Sequence, residues 1–252
     1  MKIKEREGDS VGNGIVRLGL LDSGADFSIK YLQEIELFGQ TFHLTTTHVG
    51  LAIISIVLIV LAIMVNRKIA KSKPEDTPGM LVNIFELAVG MLDNMVSGTM
   101  GKSAKKFRNY IGTVFIFALL CNISSLFGLR PPTADYGVTF AMGIITFFII
   151  HYNGIKANGT KHFSDLCKPI LLTPINIIGE IAVPLSLSLR LFGNVLSGTV
   201  MMGLIYGLLA PPVTTGIPAV LHVYFDIFSG CIQAYVFCML SMVYISDKIG
   251  TD

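Results

Sequence analysis

The chain has 252 residues, of which 52% are hydrophobic and only 14% charged, with a mean hydropathy of +0.66. Soluble domains carry about 25% charged residues, so this composition excludes an ordinary soluble enzyme and points to an integral membrane protein. The net charge of +2 decides little, but its placement decides more: residues 1–49 hold five Lys/Arg against seven Asp/Glu, while twelve of the fourteen later Lys/Arg fall in three loops and the C-terminal tail.

Residues 1–40 form a polar leader of mixed charge, expected to be an extracytoplasmic segment; residues 41–252 are expected to form a single integral membrane domain. No apolar run of the kind found in a cleavable signal precedes residue 49. Val49–Val65 is free of charge and is followed at once by Asn66-Arg67-Lys68. It reads as a first transmembrane helix, extended back over Thr45–His48, with its basic end in the cytoplasm.

Pro74–Pro78 breaks the chain. Between Gly79 and Ser97, Met80, Ile84, Leu87, Met91 and Met95 recur at three- and four-residue steps among Asn83, Glu86, Asp93 and Asn94. That spacing predicts an amphipathic helix at the cytoplasmic surface, packed across other helices, or docking a partner. Tyr110–Gly128 is the second span and Val138–His151 the core of the third, joined outside the membrane by a lightly charged link.

Ile170–Ala210 is about twice the length of a span, so it is either two spans or one tilted, bent helix kinked at Pro174 and Pro184. The lack of a polar turn favours one long helix, ended by Pro211–Gly216. Pro218–Ser246 is again too long for an upright helix and contains Asp226 and Gln233. The fold expected is therefore all-α: five transmembrane crossings plus one amphipathic surface helix, the last two membrane helices long and tilted. The N-terminus is then outside and every basic loop is cytoplasmic, as the positive-inside rule requires.

The four cysteines, Cys121, Cys167, Cys231 and Cys238, have no ligand spacing and read as small apolar fillers. His222 and Asp226, at i and i+4, lack further ligands, so no metal site is expected. His151 and His162 read as a membrane-edge and a loop histidine without a special role. No phosphate-binding glycine loop, nucleophile elbow or HExxH occurs, so neither a catalytic site nor a cofactor is expected.

From Pro169 to Pro218 the only charges are Glu180 and Arg190. An arginine at bilayer depth costs about 2.5–3.5 kcal/mol on insertion scales, which demands a use or a partner. Ser186, Arg190, Asn194, Ser197 and Met201 share one helical stripe, flanked by Gly193 and Gly198, which permit close helix approach. Asp226, Gly230, Gln233 and Phe237 form a stripe on the last helix, and the two invite pairing. The serines alternatively bond back to their own helix, Asn194 to a neighbouring helix, and Glu180 and Asp226 serve as neutral acids inside the bundle. Arg190 is alternatively a structural ion pair with Asp226.

Pro184-Leu185-Ser186-Leu187-Ser188-Leu189-Arg190-Leu191-Phe192-Gly193-Asn194 resembles the signature of subunit a of F-type ATP synthases, the membrane stator beside the rotating c-ring. Gln233-Ala234-Tyr235-Val236-Phe237 resembles the family's second signature, and Asn122 and Pro132-Thr133-Ala134-Asp135 also fit. The resemblance covers residues 40–248 and agrees with the five-span layout. It implies that Arg190 is the essential stator arginine and that Gln233 sits opposite it. It further implies that Asn194 and Asp226 line an access channel, with Asn122 and Asp135 nearer its mouth. Glu180, Ser186 and Ser197 complete the expected ion path. Thr199 stands where some proton-driven relatives have Glu, which leaves the route past it open. The implied partners are the c-subunit ring, the b-subunit peripheral stalk, the soluble F1 ATPase sector and the lipid bilayer of a bacterial plasma membrane; no nucleic acid is implied.

Rival readings fit less well. A secondary transporter would show internal repeats and broken helices, an intramembrane enzyme a nucleophile–base or metal set, and a purely structural subunit would not need an arginine on a polar stripe.

Overall fold

A computed structural model of the chain describes residues 31–37, 40–71, 79–127, 130–159, 172–208 and 220–250. Most of the N-terminal leader, Pro74–Pro78, Cys167, His162 and the Pro211–Gly216 stop lie outside the described residues. Two antiparallel strands, β1 (Tyr31–Leu37) and β2 (Gln40–Thr45), pair from Leu37 opposite Gln40 to Tyr31 opposite Thr45. The alternation of Glu34, Ile35, Glu36, Leu37 and of Thr41, Phe42, His43, Leu44 has the period of two that a strand requires. This short ribbon precedes a membrane domain that is otherwise helical, as expected.

Among the described residues, five helical stretches are long and apolar enough to cross a membrane: Thr46–Lys68, Val82–Phe127, Tyr136–Asn158, Thr173–Tyr206 and Val220–Ile249. α1 (Thr46–Lys71) begins with a contact of 2.6 Å between Thr45 Oγ1 and His48 Nδ1. It is apolar on all sides and exposes Ile53, Ile56, Val57, Ile59 and Val60, as a helix on the lipid side of a bundle does.

The second stretch is two elements. α2 (Met80–Met100) turns at Gly101, whose φ of 51° suits glycine, and returns as α3 (Ala104–Ile123). The ion pair Arg108–Asp93 at 3.3 Å ties the two. Met80, Ile84, Leu87 and Met91 are exposed while Val96 and Met100 are buried, so the amphipathic helix expected over 79–97 exists and its C-terminal third joins the core. α3 continues in a 3₁₀ turn, Ser124–Phe127. A second 3₁₀ turn, Pro132–Ala134, leads to Asp135, whose carboxylate accepts the Gly137 N–H at 3.0 Å and caps α4 (Tyr136–Asn158).

The forty-residue apolar run resolves into one helix, α5 (Thr173–Leu208), with Pro184 inside it. Its 36 residues span about 54 Å at 1.5 Å per residue, well beyond the roughly 30 Å hydrocarbon core. α6 (Val220–Ile249) is also continuous, but its Val223–Ser229 section is π-helical. Gly250, at φ 67°, ends it.

The core is the seam where α2, α3, α4 and α5 meet α6: Phe107, Ile111, Ile150, Leu187, Leu191, Phe237, Met242 and Ile245 are fully or almost fully buried there. Cys121 and Cys238 are buried apolar fillers, as expected. Small residues allow the closest approaches. A Cβ on Gly143 of α4 would stand 2.7 Å from the Pro184 carbonyl oxygen, and one on Gly230 of α6 would stand 2.9 Å from Asn122 Cβ. By contrast a Cβ on Gly193 would meet nothing within 4 Å, and one on Gly198 would make only ordinary contact with Phe225. The packing glycines are therefore Gly143 and Gly230, whereas Gly193 lies open among the described residues.

The contacts also define two ends of the bundle. Lys106 of α3 donates to Asn153 of α4, and Asn158 of α4 donates to the Lys248 carbonyl of α6 at 2.8 Å, so these basic segments share one end. Asn122, Thr133 and Gly230 meet at the other.

Candidate functional site

Arg190 lies on the face of α5 away from the core. Leu187, Ser188 and Leu191 point inward and are buried, while Ser186, Arg190, Ser197 and Met201 are exposed and Asn194 is half-buried. Arg190 has no hydrogen bond or ion pair with any other described residue. The pairing with Asp226 that the two stripes invite is not formed. Asp226 is held instead by His222, and the reason is local: the residues stand at i and i+4 on one helix, where side chains meet without spanning a gap.

A polar cluster occupies the end opposite the basic one. His222 Nδ1 donates to Asp226 Oδ2 at 2.7 Å, because a carboxylate only accepts. The other ring nitrogen, His222 Nε2, lies 3.1 Å from the Tyr206 hydroxyl of α5. Ser229 Oγ, at the end of the π-helical section, donates to Asn194 Oδ1 at 2.6 Å. Asn122 Nδ2 donates to the Gly230 carbonyl at 3.0 Å while its Oδ1 accepts from Thr133 at 3.1 Å. The i→i+5 spacing of Val223–Ser229 widens the helix by a residue per turn and re-aims its side chains, a device often found at functional sites.

Between these groups lies a cavity of ≈ 30 Å³ bounded by Asn122, Ser125, Asn194, Thr199, Asp226 and Gly230. Three candidates named from sequence, on three different elements, are thus brought together. Ser197 and Thr199 donate back to their own helix, to the carbonyls of Asn194 and Val195 at 2.9 and 2.8 Å. Asp135 stands apart. It lines a larger, mostly apolar cavity of ≈ 720 Å³ with Thr47, His48, Tyr110 and Met142.

The second polar cluster is at the basic end. Glu180 of α5 binds Lys248 of α6 and lies 3.7 Å from His151 Nε2 of α4. These residues, with Asn176, Tyr244 and Asp247, border a cavity of ≈ 650 Å³. Pro184 has no N–H to give to the Glu180 carbonyl, so the helix lacks its usual i→i−4 bond beside this cavity. Sequence reading missed His151, taken there as a histidine without a role, and Lys248, taken as a topological charge. Both are remote in sequence from Glu180, and only the packing of α4, α5 and α6 brings them to it.

Glu180 and Arg190 are ten residues apart on one helix, about 15 Å along its axis. Asn194 is one turn beyond Arg190 on the other side. The arginine therefore falls between the two polar clusters along α5, with Leu187 and Leu191 buried behind it. Gln233 is half-buried on α6, and its Oε1 is enclosed without a hydrogen-bond partner among the described residues. An enclosed amide oxygen without a donor costs about 1–3 kcal/mol, so packing alone does not account for it. Among the described residues no group of acidic, histidine and cysteine side chains could hold a metal ion.

Comparison with known proteins gives this geometry a family. Residues 49–246 match the family model described as ATP synthase A chain. The chain is 41% identical over 184 residues to the protein named ATP synthase subunit a, sodium ion specific, of Propionigenium modestum, covering 66% of this chain and 62% of that one. It is 31% identical over 244 residues to ATP synthase subunit a of Bacillus velezensis, covering 86% and 97% of the two chains. It is 35% identical over 198 residues to ATP synthase subunit a 3 of Pelobacter propionicus, covering 76% and 84%. A model match over most of the length, with relatives more than 30% identical over most of the chain, shows that the chain belongs to the ATP synthase A chain family.

Proposed function

We propose that this chain is the ion-conducting stator of a bacterial F-type ATP synthase, with no catalytic site of its own, and that Arg190 couples the flow of H⁺ or Na⁺ to rotation of a c-subunit ring. The observation that carries the reading is Arg190 itself: an exposed cation, unpaired among the described residues, on an apolar helix between two polar clusters at opposite ends of the bundle. The Glu180 cavity serves as one half-channel and the Asn122–Asn194–Asp226 cavity as the other. Ser186 and Ser197 flank the arginine, Gln233 assists it from α6, and Asp135 lies nearer the outer mouth.

A fixed cation in a low-dielectric setting favours the ionised form of any carboxyl group that approaches it. A ring carboxyl arriving loaded from the lipid would release its ion beside Arg190, and the emptied site would reload from the other half-channel. Two channels that do not meet turn a gradient into directional rotation, driven by about 2.3 kcal/mol per charge per 100 mV. Arginine suits the task because it stays charged at any pH the cell reaches.

Basic residues gathered at one end support a cytoplasmic side there, with residues 1–40 outside and residues 41–252 as the membrane domain of this reading. A b-subunit stalk and the soluble F1 sector complete the assembly. The test is gradient-driven ATP synthesis in membranes carrying Arg190→Ala, with soluble ATPase activity measured alongside. Synthesis is expected to vanish while hydrolysis remains; unchanged synthesis would refute the mechanism. Arg190→Lys is expected to be severely impaired as well, since an ammonium lacks the planar fork of donors.

A further inference from the structure

The groove between α1 and α4 is shaped for an elongated amphiphile. α1 packs on α2, α3 and the Pro132–Ala134 turn but hardly touches α4, so a gap remains whose floor is α3. Tyr110, Val114 and Phe117 share one face of α3, and Val138, Met142 and Ile145 one face of α4, because residues three, four and seven apart align on a helix. The walls are therefore largely apolar. Ala141 and Ile145 are exposed, so the long side opens toward lipid.

Polarity changes along the groove. Near the middle of α4 the polar groups are spent: the Tyr110 hydroxyl is 2.8 Å from Thr146 Oγ1, and Thr113 Oγ1 donates to the Asn109 carbonyl at 2.8 Å. At the end opposite the basic one they are not. Thr47 is only 3% exposed, and its Oγ1 is enclosed without a hydrogen-bond partner among the described residues. Buried hydroxyls are nearly always satisfied, and the groove is the side from which a partner reaches this one. Asp135 accepts the Gly137 N–H through Oδ1, has no other bond among the described residues, and is the only formal charge on the lining.

The dimensions select the occupant. Asp135 to Ile145 is about 15 Å of helix, half of the roughly 30 Å hydrocarbon core and so the depth of one leaflet. Spread over that length, ≈ 720 Å³ is a cross-section of about 48 Å², whereas a helix with its side chains is about 10–12 Å across, or about 80–110 Å². A partner helix is too thick to fill the groove; a hydrocarbon chain is not. A carboxylate with no lysine or arginine on the lining favours an ammonium headgroup over an anionic one.

We infer that this groove binds one phospholipid with an ammonium headgroup, phosphatidylethanolamine, from the leaflet opposite the basic end. An acyl chain lies between α1 and α4, the Thr47 hydroxyl donates to a glycerol-ester carbonyl, and the ammonium donates to Asp135. The inference goes beyond the stator reading and needs only a membrane-embedded chain.

The test uses the complete synthase, delipidated in detergent and given phosphatidylethanolamine with a photoreactive diazirine in one acyl chain. Peptide mapping after irradiation is expected to find label in residues 110–117 and 138–145. Unlabelled phosphatidylethanolamine should compete, and phosphatidylglycerol about tenfold more weakly. Thr47→Val keeps shape and removes the hydroxyl. It should weaken labelling about two- to tenfold while the Tm of the lipid-free complex stays level or rises, whereas a hydroxyl with a structural role would lower that Tm. Asp135→Asn keeps an acceptor for the Gly137 N–H and should abolish the headgroup preference. Ala141→Phe fills the groove from α4 and should abolish labelling there. Label spread evenly over the lipid-facing helices, or unaltered by both Thr47→Val and Ala141→Phe, would overturn the inference, as would equal competition by phosphatidylglycerol. A photoreactive amino acid placed at position 141 that captured another subunit in place of lipid would overturn it too.

Discussion

Gly143→Ala is the sharpest test of how α4 sets the position of Arg190. The added methyl would stand 2.7 Å from the Pro184 carbonyl oxygen and 3.4 Å from Ser188 Cβ. The first contact is about 0.7 Å short of ordinary van der Waals distance, and the opposing atom is backbone, so no rotamer relieves it. α5 must shift or bend at its proline. Overpacking of this kind costs about 1–3 kcal/mol, which for a chain of this size lowers Tm by about 2–12 °C. Arg190 lies six residues beyond Pro184 on the displaced helix, and a misplacement approaching 1 Å in a charge-transfer site can cost about a hundredfold in rate. Thermal denaturation of the purified synthase and gradient-driven ATP synthesis read the two effects. Gly90→Ala is the control: it lies in α2 with nothing within 4 Å and should gain up to about 1 kcal/mol of helix propensity. Parental stability and synthesis in Gly143→Ala would show that the α4–α5 contact does not position the arginine.

Other substitutions probe separate parts of the reasoning. Gly193→Ala should leave thermal stability at or slightly above the parent yet lower synthesis, because the space beside it is open in this chain and the proposed c-ring would pack there; undiminished synthesis would mean that nothing approaches there. Asn122→Ala removes the bonds to Gly230 and Thr133 and should cost about 1–3 kcal/mol in chemical denaturation, so an unchanged midpoint would contradict the bridging role. A double-mutant cycle of Glu180→Gln and Lys248→Met should return a coupling of about 1 kcal/mol; additive effects would place the pair outside the working structure.

The spans and the arginine were legible in the sequence because uniform apolar runs and a lone buried-depth charge are local signals. The long α5 helix was legible too, since no polar turn interrupts it. What sequence did not show depends on packing between elements. The π-helical section leaves no compositional trace in Val223–Ser229, and Gly193 and Gly198 were the visible small residues although Gly143 and Gly230 make the tight contacts. Glu180 was visible as a charge, but its partners come from helices that join it only after folding. Asp226 and Arg190 attracted pairing on paper, and a histidine one turn away settled the matter. The β1–β2 ribbon was passed over although its alternation is readable, since the leader before it has no pattern.

An arginine left facing lipid by its own chain bears on biogenesis. Until the proposed ring carboxylate meets it, the newly inserted subunit would carry an insertion penalty of about 2.5–3.5 kcal/mol on its outer face. The same residue that would drive the motor therefore makes the orphan chain a poor tenant of the bilayer. In the proposed assembly, quality control by membrane proteases would act on that difference, and the lifetime of this subunit would measure how promptly the ring beside it is built.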